Sequence, residues 1–131
     1  MTQIGVFRCQ ENAQKCPLTN CFKSLRGKVQ GFAGYDEAEL AGVFTLSDRA
    51  EENLALAKIL KSKGAEAIHI VTCAFCQKGQ DGWQLGNGFR SQVDETARSI
   101  AEATGLPCVK GTAHLPEGYE PEVFKGSTGA P

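Results

Sequence analysis

The stretch over residues 65–76, Ala-Glu-Ala-Ile-His-Ile-Val-Thr-Cys-Ala-Phe-Cys, constrains the fold more than any other part of the chain. Its core, residues 67–72, is rich in β-branched side chains, is too short for a helix, and follows Gly64, a residue that ends helices. Apolar side chains point both ways along it. That is the pattern of a central parallel strand covered on both faces, because only there do successive side chains all leave water. The strand stops at Cys73 and Cys76, so it delivers reactive side chains at its carboxyl end.

The remaining segments can be arranged around this strand. Residues 4–9 (Ile-Gly-Val-Phe-Arg-Cys) form a first strand that also ends in a cysteine, Cys9. Pro17 suits the first position of a short helix reaching about residue 26, with Cys16 at its N-cap and Cys21 carried back toward Cys16. Residues 38–46 read as a second strand. Asp48 followed by Glu51 has the spacing of a capping box and starts a helix whose apolar stripe is Leu56, Ala57 and Leu60. Residues 77–90 hold four glycines with Trp83 and Leu85 among them, and read as a loop able to lid a site. Val93, Ala97, Ile100, Ala101 and Thr104 follow the helical period with Gly105 beyond the end, and residues 106–111 are the last strand.

Strands alternating with helices predict an α/β fold. The expected architecture is a three-layer sandwich with a mostly parallel four-stranded sheet, flavodoxin/Rossmann-like in type, in strand order 2-1-3-4. One α/β domain over residues 1–114 is followed by an extended or disordered tail, 115–131, which carries Pro116, Pro121, Gly126, Gly129 and Pro131. In such a sheet, ligands bind outside the carboxyl ends where the winding reverses, between the first and third strands. Cys9 and Cys73 leave those ends. No glycine follows the first strand in Arg8-Cys9-Gln10-Glu11-Asn12, so backbone cannot approach a pyrophosphate there.

The six cysteines take their meaning from length and charge. A chain of 131 residues buries about two-thirds of its unfolded surface and needs no covalent staples. No apolar stretch approaches the roughly 18 residues of a membrane span, which predicts a cytoplasmic protein whose thiols stay reduced. A formal charge of -1 gives no field to attract nucleic acid or anionic lipid. The thiols therefore read as metal ligands, reactive groups or packing rather than disulfides.

Topology predicts that Cys9, Cys16, Cys21, Cys73 and Cys76 share one sheet edge, with His114 arriving after the last strand. Sulfur and imidazole donors suit zinc and, less well, iron or an iron–sulfur cluster. Three readings stay open at this point. The first is a metal ion held among these six residues. The second is a thiol redox pair at Cys73 and Cys76, and the third is a metal-free domain for a small ligand. Cys108, beside Val109 in a strand, reads as packing, His69 as a buried imidazole with a hydrogen-bond partner, and Trp83 as a loop anchor.

A set of short pieces recurs in a specific order: Ile4-Gly5-Val6-Phe7-Arg8-Cys9, Cys16-Pro17 with Cys21, Gly64-Ala65, Ile68-His69, Cys73, Gly88-Phe89 and Gly111-Thr112. In these the chain resembles the CGGC domain family, small proteins named for a central Cys-Gly-Gly-Cys, and the resemblance implies metal binding. Where that family places its Cys-Gly-Gly-Cys, this chain has Leu46-Ser47-Asp48-Arg49, and Ser91 stands at a further cysteine position. The family's Gly-Thr-His is here Gly111-Thr112-Ala113-His114.

Overall fold

The chain runs β1 (Thr2–Arg8), α1 (Thr19–Gly27), β2 (Ala38–Thr45), α2 (Ala50–Ser62), β3 (Ala67–Ile70), β4 (Cys76–Gly79), β5 (Gly82–Leu85), α3 (Val93–Thr104), β6 (Cys108–Lys110) and β7 (Glu122–Phe124), with short 3-10 turns at Gln10–Asn12, Gln30–Phe32 and Thr72–Ala74. These elements come from a computed structural model that describes residues 2–12, 14–80, 82–86, 88 and 92–125. Phe89, Ser91, Gly126, Gly129 and Pro131 lie outside the described residues. Among the described residues no helix is long and apolar enough to cross a membrane.

Five strands form one sheet in the order β2-β1-β3-β6-β7. The pairs β1–β2, β1–β3 and β3–β6 are parallel, whereas β7 is antiparallel to β6. The expected four-stranded sheet is therefore corrected to five. Its parallel part keeps the anticipated arrangement, and the tail adds the fifth strand. Tyr119 explains how the tail is recruited: its hydroxyl donates to the Lys110 carbonyl at 2.9 Å and accepts the Glu122 N–H at 3.3 Å. A second correction concerns residues 77–90, where a two-stranded antiparallel hairpin of β4 and β5 replaces part of the expected loop.

The two sheet faces differ in what covers them. A Cβ added at Gly5 of β1 or Gly42 of β2 would lie 3.0 or 3.2 Å from Leu60 of α2, so these glycines let that helix sit close on one face. Burying a leucine in this way contributes about 1.5–3 kcal/mol. Helix α3 packs beside α2 and against β6. On the opposite face His69 lies in register with Val6 and Val109, and its ring packs against Phe32 at 4.5 Å between centroids. Helix α1 packs against the turn that carries Phe32. The core on both faces is apolar, with Ile4, Phe7, Phe32, Ile68, Ile70 and Ile100 all buried.

Both expected helix starts shift. α1 begins at Thr19, and its N-cap is Leu18 in the left-handed region at φ 64, not Cys16. The Leu18 side chain is buried, and its carbonyl accepts the Phe22 N–H at 2.9 Å. Core anchoring by a large apolar residue thus sets this start, overriding the proline signal. α2 begins at Ala50 with Arg49 as N-cap, one residue later than the Asp48–Glu51 spacing predicts, and the Arg49 side chain makes no capping bond. Asn53 ties the turn to the helix. Its Oδ1 accepts the Ser47 N–H at 2.7 Å, its Nδ2 donates to the Ser47 carbonyl at 2.9 Å, and Ser47 Oγ accepts the Arg49 N–H at 3.1 Å.

Candidate functional site

Adjacent parallel strands release their chains at one edge, and the backbone bonds continue past the strand ends. Val71 N–H donates to Phe7 O at 3.0 Å and Gly111 N–H to Ile70 O at 2.9 Å. The residues that follow are therefore held near one another. Cys9 and Cys73 meet there with sulfurs 2.7 Å apart. Cys9 is buried and Cys73 half-buried, so Cys73 is the residue of the pair that meets solvent. A disulfide has a sulfur–sulfur length of about 2.05 Å, and two thiolates on one tetrahedral zinc lie about 3.8 Å apart given zinc–sulfur bonds of about 2.3 Å. The observed separation lies between the two.

A knot of buried hydrogen bonds surrounds the pair. Thr112 N–H donates to Thr72 Oγ1 at 3.0 Å, and Thr72 N–H donates back to Thr112 Oγ1 at 3.4 Å. The same Thr112 hydroxyl lies 3.2 Å from Cys21 Sγ. Gly31 N–H donates to the Thr112 carbonyl at 2.8 Å, an approach so close that a Cβ at Gly31 would fall 2.4 Å from the Gly111 carbonyl oxygen. The Gly111 oxygen also takes the His69 Nδ1 proton at 2.8 Å, which leaves Nε2 to accept the Tyr35 hydroxyl at 2.8 Å. Burial pushes His69 down to about 4 and Tyr35 up to about 12, so the imidazole is neutral at ordinary pH.

The other candidates are placed as follows. Burial pushes the Cys21 thiol up, its hydrogen bonds to Thr112 and the Ala113 backbone ease that, and the neighbouring Cys16 and Cys9 push it up further. Cys16 is half-buried, and Arg8 Nη2 donates to its carbonyl. Cys76 is buried and pushed up to about 11, with the Lys110 ammonium and a Gly86 backbone bond acting against burial. Lys110 is itself nearly buried, 2.6 Å from Asp94, 3.5 Å from Glu122 and 4.7 Å from the Phe75 ring centre. His114 accepts a bond from Asn20 Nδ2 at 3.1 Å and stacks on Trp83 at 5.0 Å. Cys108 is wholly buried and pushed up to about 12 by burial, which fits packing.

The structure thus joins Cys9 to Cys73, sets Cys21 beside them within electrostatic reach of Cys9 and Cys16, and gives Cys76 and His114 other neighbours. Among the described residues no three Cys, His, Asp or Glu side chains form a group that could hold a metal ion. The donor chemistry suits a soft or borderline ion, but among the described residues a closed four-ligand zinc site is not assembled. Sequence reasoning missed Thr72, Thr112 and Tyr35, whereas His69 is the buried, hydrogen-bonded imidazole it was read as. Only the Gly111-Thr112 piece of the resemblance pointed toward that region. A cleft of 720 Å³ lies elsewhere, lined by Phe75, Leu85, Asp94, Lys110 and Glu122 among others.

Residues 3–113 match the CGGC domain, and the chain belongs to that family. It is 28% identical over 120 residues to "Uncharacterized protein MJ0582" of Methanocaldococcus jannaschii, which covers 86% of this chain and 88% of that protein. No solved structure matches the chain.

Proposed function

We propose that the protein works through the Cys9/Cys73 dithiol, which exchanges reversibly with disulfides. The observation that carries this reading is the 2.7 Å separation of the Cys9 and Cys73 sulfurs at adjacent strand ends. Cys73, the more exposed residue, attacks as thiolate on one sulfur of a substrate disulfide, forming a mixed disulfide and expelling one thiolate. The buried Cys9 thiolate then attacks Cys73, closing the intramolecular disulfide and expelling the second thiolate. The two thiol protons end on the two leaving thiolates, and the substrate disulfide gains the two electrons. The pair is Cys9 with Cys73, in place of the Cys73/Cys76 pair that the sequence spacing favoured. A reducing cytoplasm would return it to the dithiol.

Oxidised glutathione followed by non-reducing peptide mapping tests this. A Cys9–Cys73 cross-linked peptide is expected, and Cys9→Ser should leave glutathione trapped on Cys73. Recovery of both cysteines as free thiols, with another pair cross-linked, would overturn it.

A second reading is favoured by the placement of Cys16 and Cys9 close enough to Cys21 to push its thiol up. In it these thiols and Cys73 take a metal ion as partner, zinc in preference to iron or an iron–sulfur cluster, in keeping with the implication of the family resemblance. Cys76 and His114 would have to leave their present neighbours to join. Elemental analysis of protein purified without added metal separates the two readings. A stoichiometric ion that blocks alkylation until a chelator is added supports metal, and its absence with rapid alkylation of Cys73 supports exchange.

A further inference from the structure

We infer that Thr112 is the positioning residue of the thiol site: it ties the segment carrying Cys73 to the end of β6 and holds Cys21 beside it. The inference rests on the dithiol reading only in naming exchange at Cys9 and Cys73 as the event that is tuned.

Thr112 is a fully buried polar side chain just past the last residue of β6. A buried hydroxyl needs partners, and this one has them on both sides of the site. Its oxygen accepts the Thr72 N–H at 3.4 Å, and its own N–H donates to Thr72 Oγ1 at 3.0 Å. Cys73 follows Thr72 directly, in the 3-10 turn Thr72–Ala74, so this reciprocal pair fixes where that turn leaves the sheet. The hydroxyl proton remains available for Cys21 Sγ at 3.2 Å, because Thr72 occupies only a lone pair of the oxygen.

The backbone of Thr112 has little freedom to withdraw. Its carbonyl accepts the Gly31 N–H at 2.8 Å, and the preceding carbonyl, of Gly111, accepts the His69 Nδ1 proton at 2.8 Å. The titratable groups facing Cys21 are Cys16 and Cys9, and a change at Thr112 leaves both in place. One hydroxyl therefore serves the segments bearing two thiols that are distant in sequence.

The test uses Thr112→Val, which keeps the shape and removes the hydroxyl, and Thr112→Ser, which restores it. Thr104→Val is the control for general destabilisation. It removes another buried threonine hydroxyl, bonded to Ile100 O in α3. In the reduced protein, amide hydrogen exchange at Thr72 should accelerate about tenfold in Thr112→Val, the size expected for one lost hydrogen bond, and return to wild type in Thr112→Ser. The equilibrium constant for closing the Cys9–Cys73 disulfide against glutathione should fall in the same order. Thr104→Val should change neither beyond its effect on global stability. Wild-type behaviour of Thr112→Val in hydrogen exchange would overturn the inference. So would failure of Thr112→Ser to restore it. If the wild-type protein closes no Cys9–Cys73 disulfide, the dithiol reading fails while the hydrogen-exchange comparison still decides the role of Thr112.

Discussion

At the ends of β1, β3 and β6 the backbone is held by buried groups from distant parts of the chain, whereas beyond Leu46, at the neighbouring end of β2, the Ser47 turn is tied to a side chain six residues away. The first region uses Thr72, Thr112, Gly31, His69 and Tyr35, most of them shielded from water. The second uses Ser47 and Asn53, only six residues apart. The contrast follows the thiols. Where Cys9, Cys21 and Cys73 are retained, long-range bonds fix them. Where Leu46-Ser47-Asp48-Arg49 stands at the position of the family's Cys-Gly-Gly-Cys, a helix cap occupies the strand end.

The largest expected difference between the regions is in acid. His69 has a folded value of about 4 against an ordinary 6.5, because the charged ring would be desolvated. The unfolded chain then binds the proton more readily. The stabilising contribution of the neutral imidazole is present above about 6.5 and is lost as pH falls toward about 4. At about 1.4 kcal/mol per pH unit, that gap is worth about 3 kcal/mol. Urea denaturation at about pH 7 and again at about pH 5, where few carboxylates have yet titrated, should show most of this loss. His69→Gln should be less stable at neutral pH but much flatter across the same interval. An equally steep slope in His69→Gln would place the acid sensitivity outside the knot.

The second difference concerns Asn53. Its side chain is buried and makes two bonds to the Ser47 backbone, at 2.7 and 2.9 Å. Asn53→Ala should lower stability by about 1–2 kcal/mol, because both Ser47 groups lose their partner in a site that water enters poorly. Alkylation of Cys73 should proceed at the wild-type rate. A changed rate would show that the two ends of the edge are coupled, and the comparison would have to be abandoned.

How far the sequence revealed these regions depends on the range of the forces involved. Helix α3 was legible in full, since Val93, Ala97, Ile100, Ala101 and Thr104 bury one face and Gly105, at φ 73, ends it. The convergence of Cys9 and Cys73 was legible as well, because parallel pairing puts successive strand ends at one edge. The hairpin of β4 and β5 was missed although Asp81-Gly82 is a turn signal, here outweighed by the many glycines nearby. The Tyr35–His69 and Thr72–Thr112 bonds span 34 and 40 residues, and no local pattern encodes such a partner. Leu18 shows the same limit, since its left-handed backbone depends on where its side chain is buried.

The smallest expected effect isolates the local character of the β2 end. Ser47 Oγ accepts the Arg49 N–H at 3.1 Å, and Arg49 is exposed, with 72% of its side chain accessible. Ser47→Ala removes that acceptor. In a buried setting the orphaned N–H would cost about 1–3 kcal/mol, but here water can take the place of the hydroxyl. The Asn53 bonds run to the Ser47 backbone, so they survive the substitution. The expected loss is therefore about 0.5 kcal/mol, read as a slightly lower urea midpoint with an unchanged slope. A loss as large as that of Asn53→Ala would mean that the Ser47 hydroxyl is shielded and belongs to a buried network. In that case the two ends of the sheet edge would be built alike.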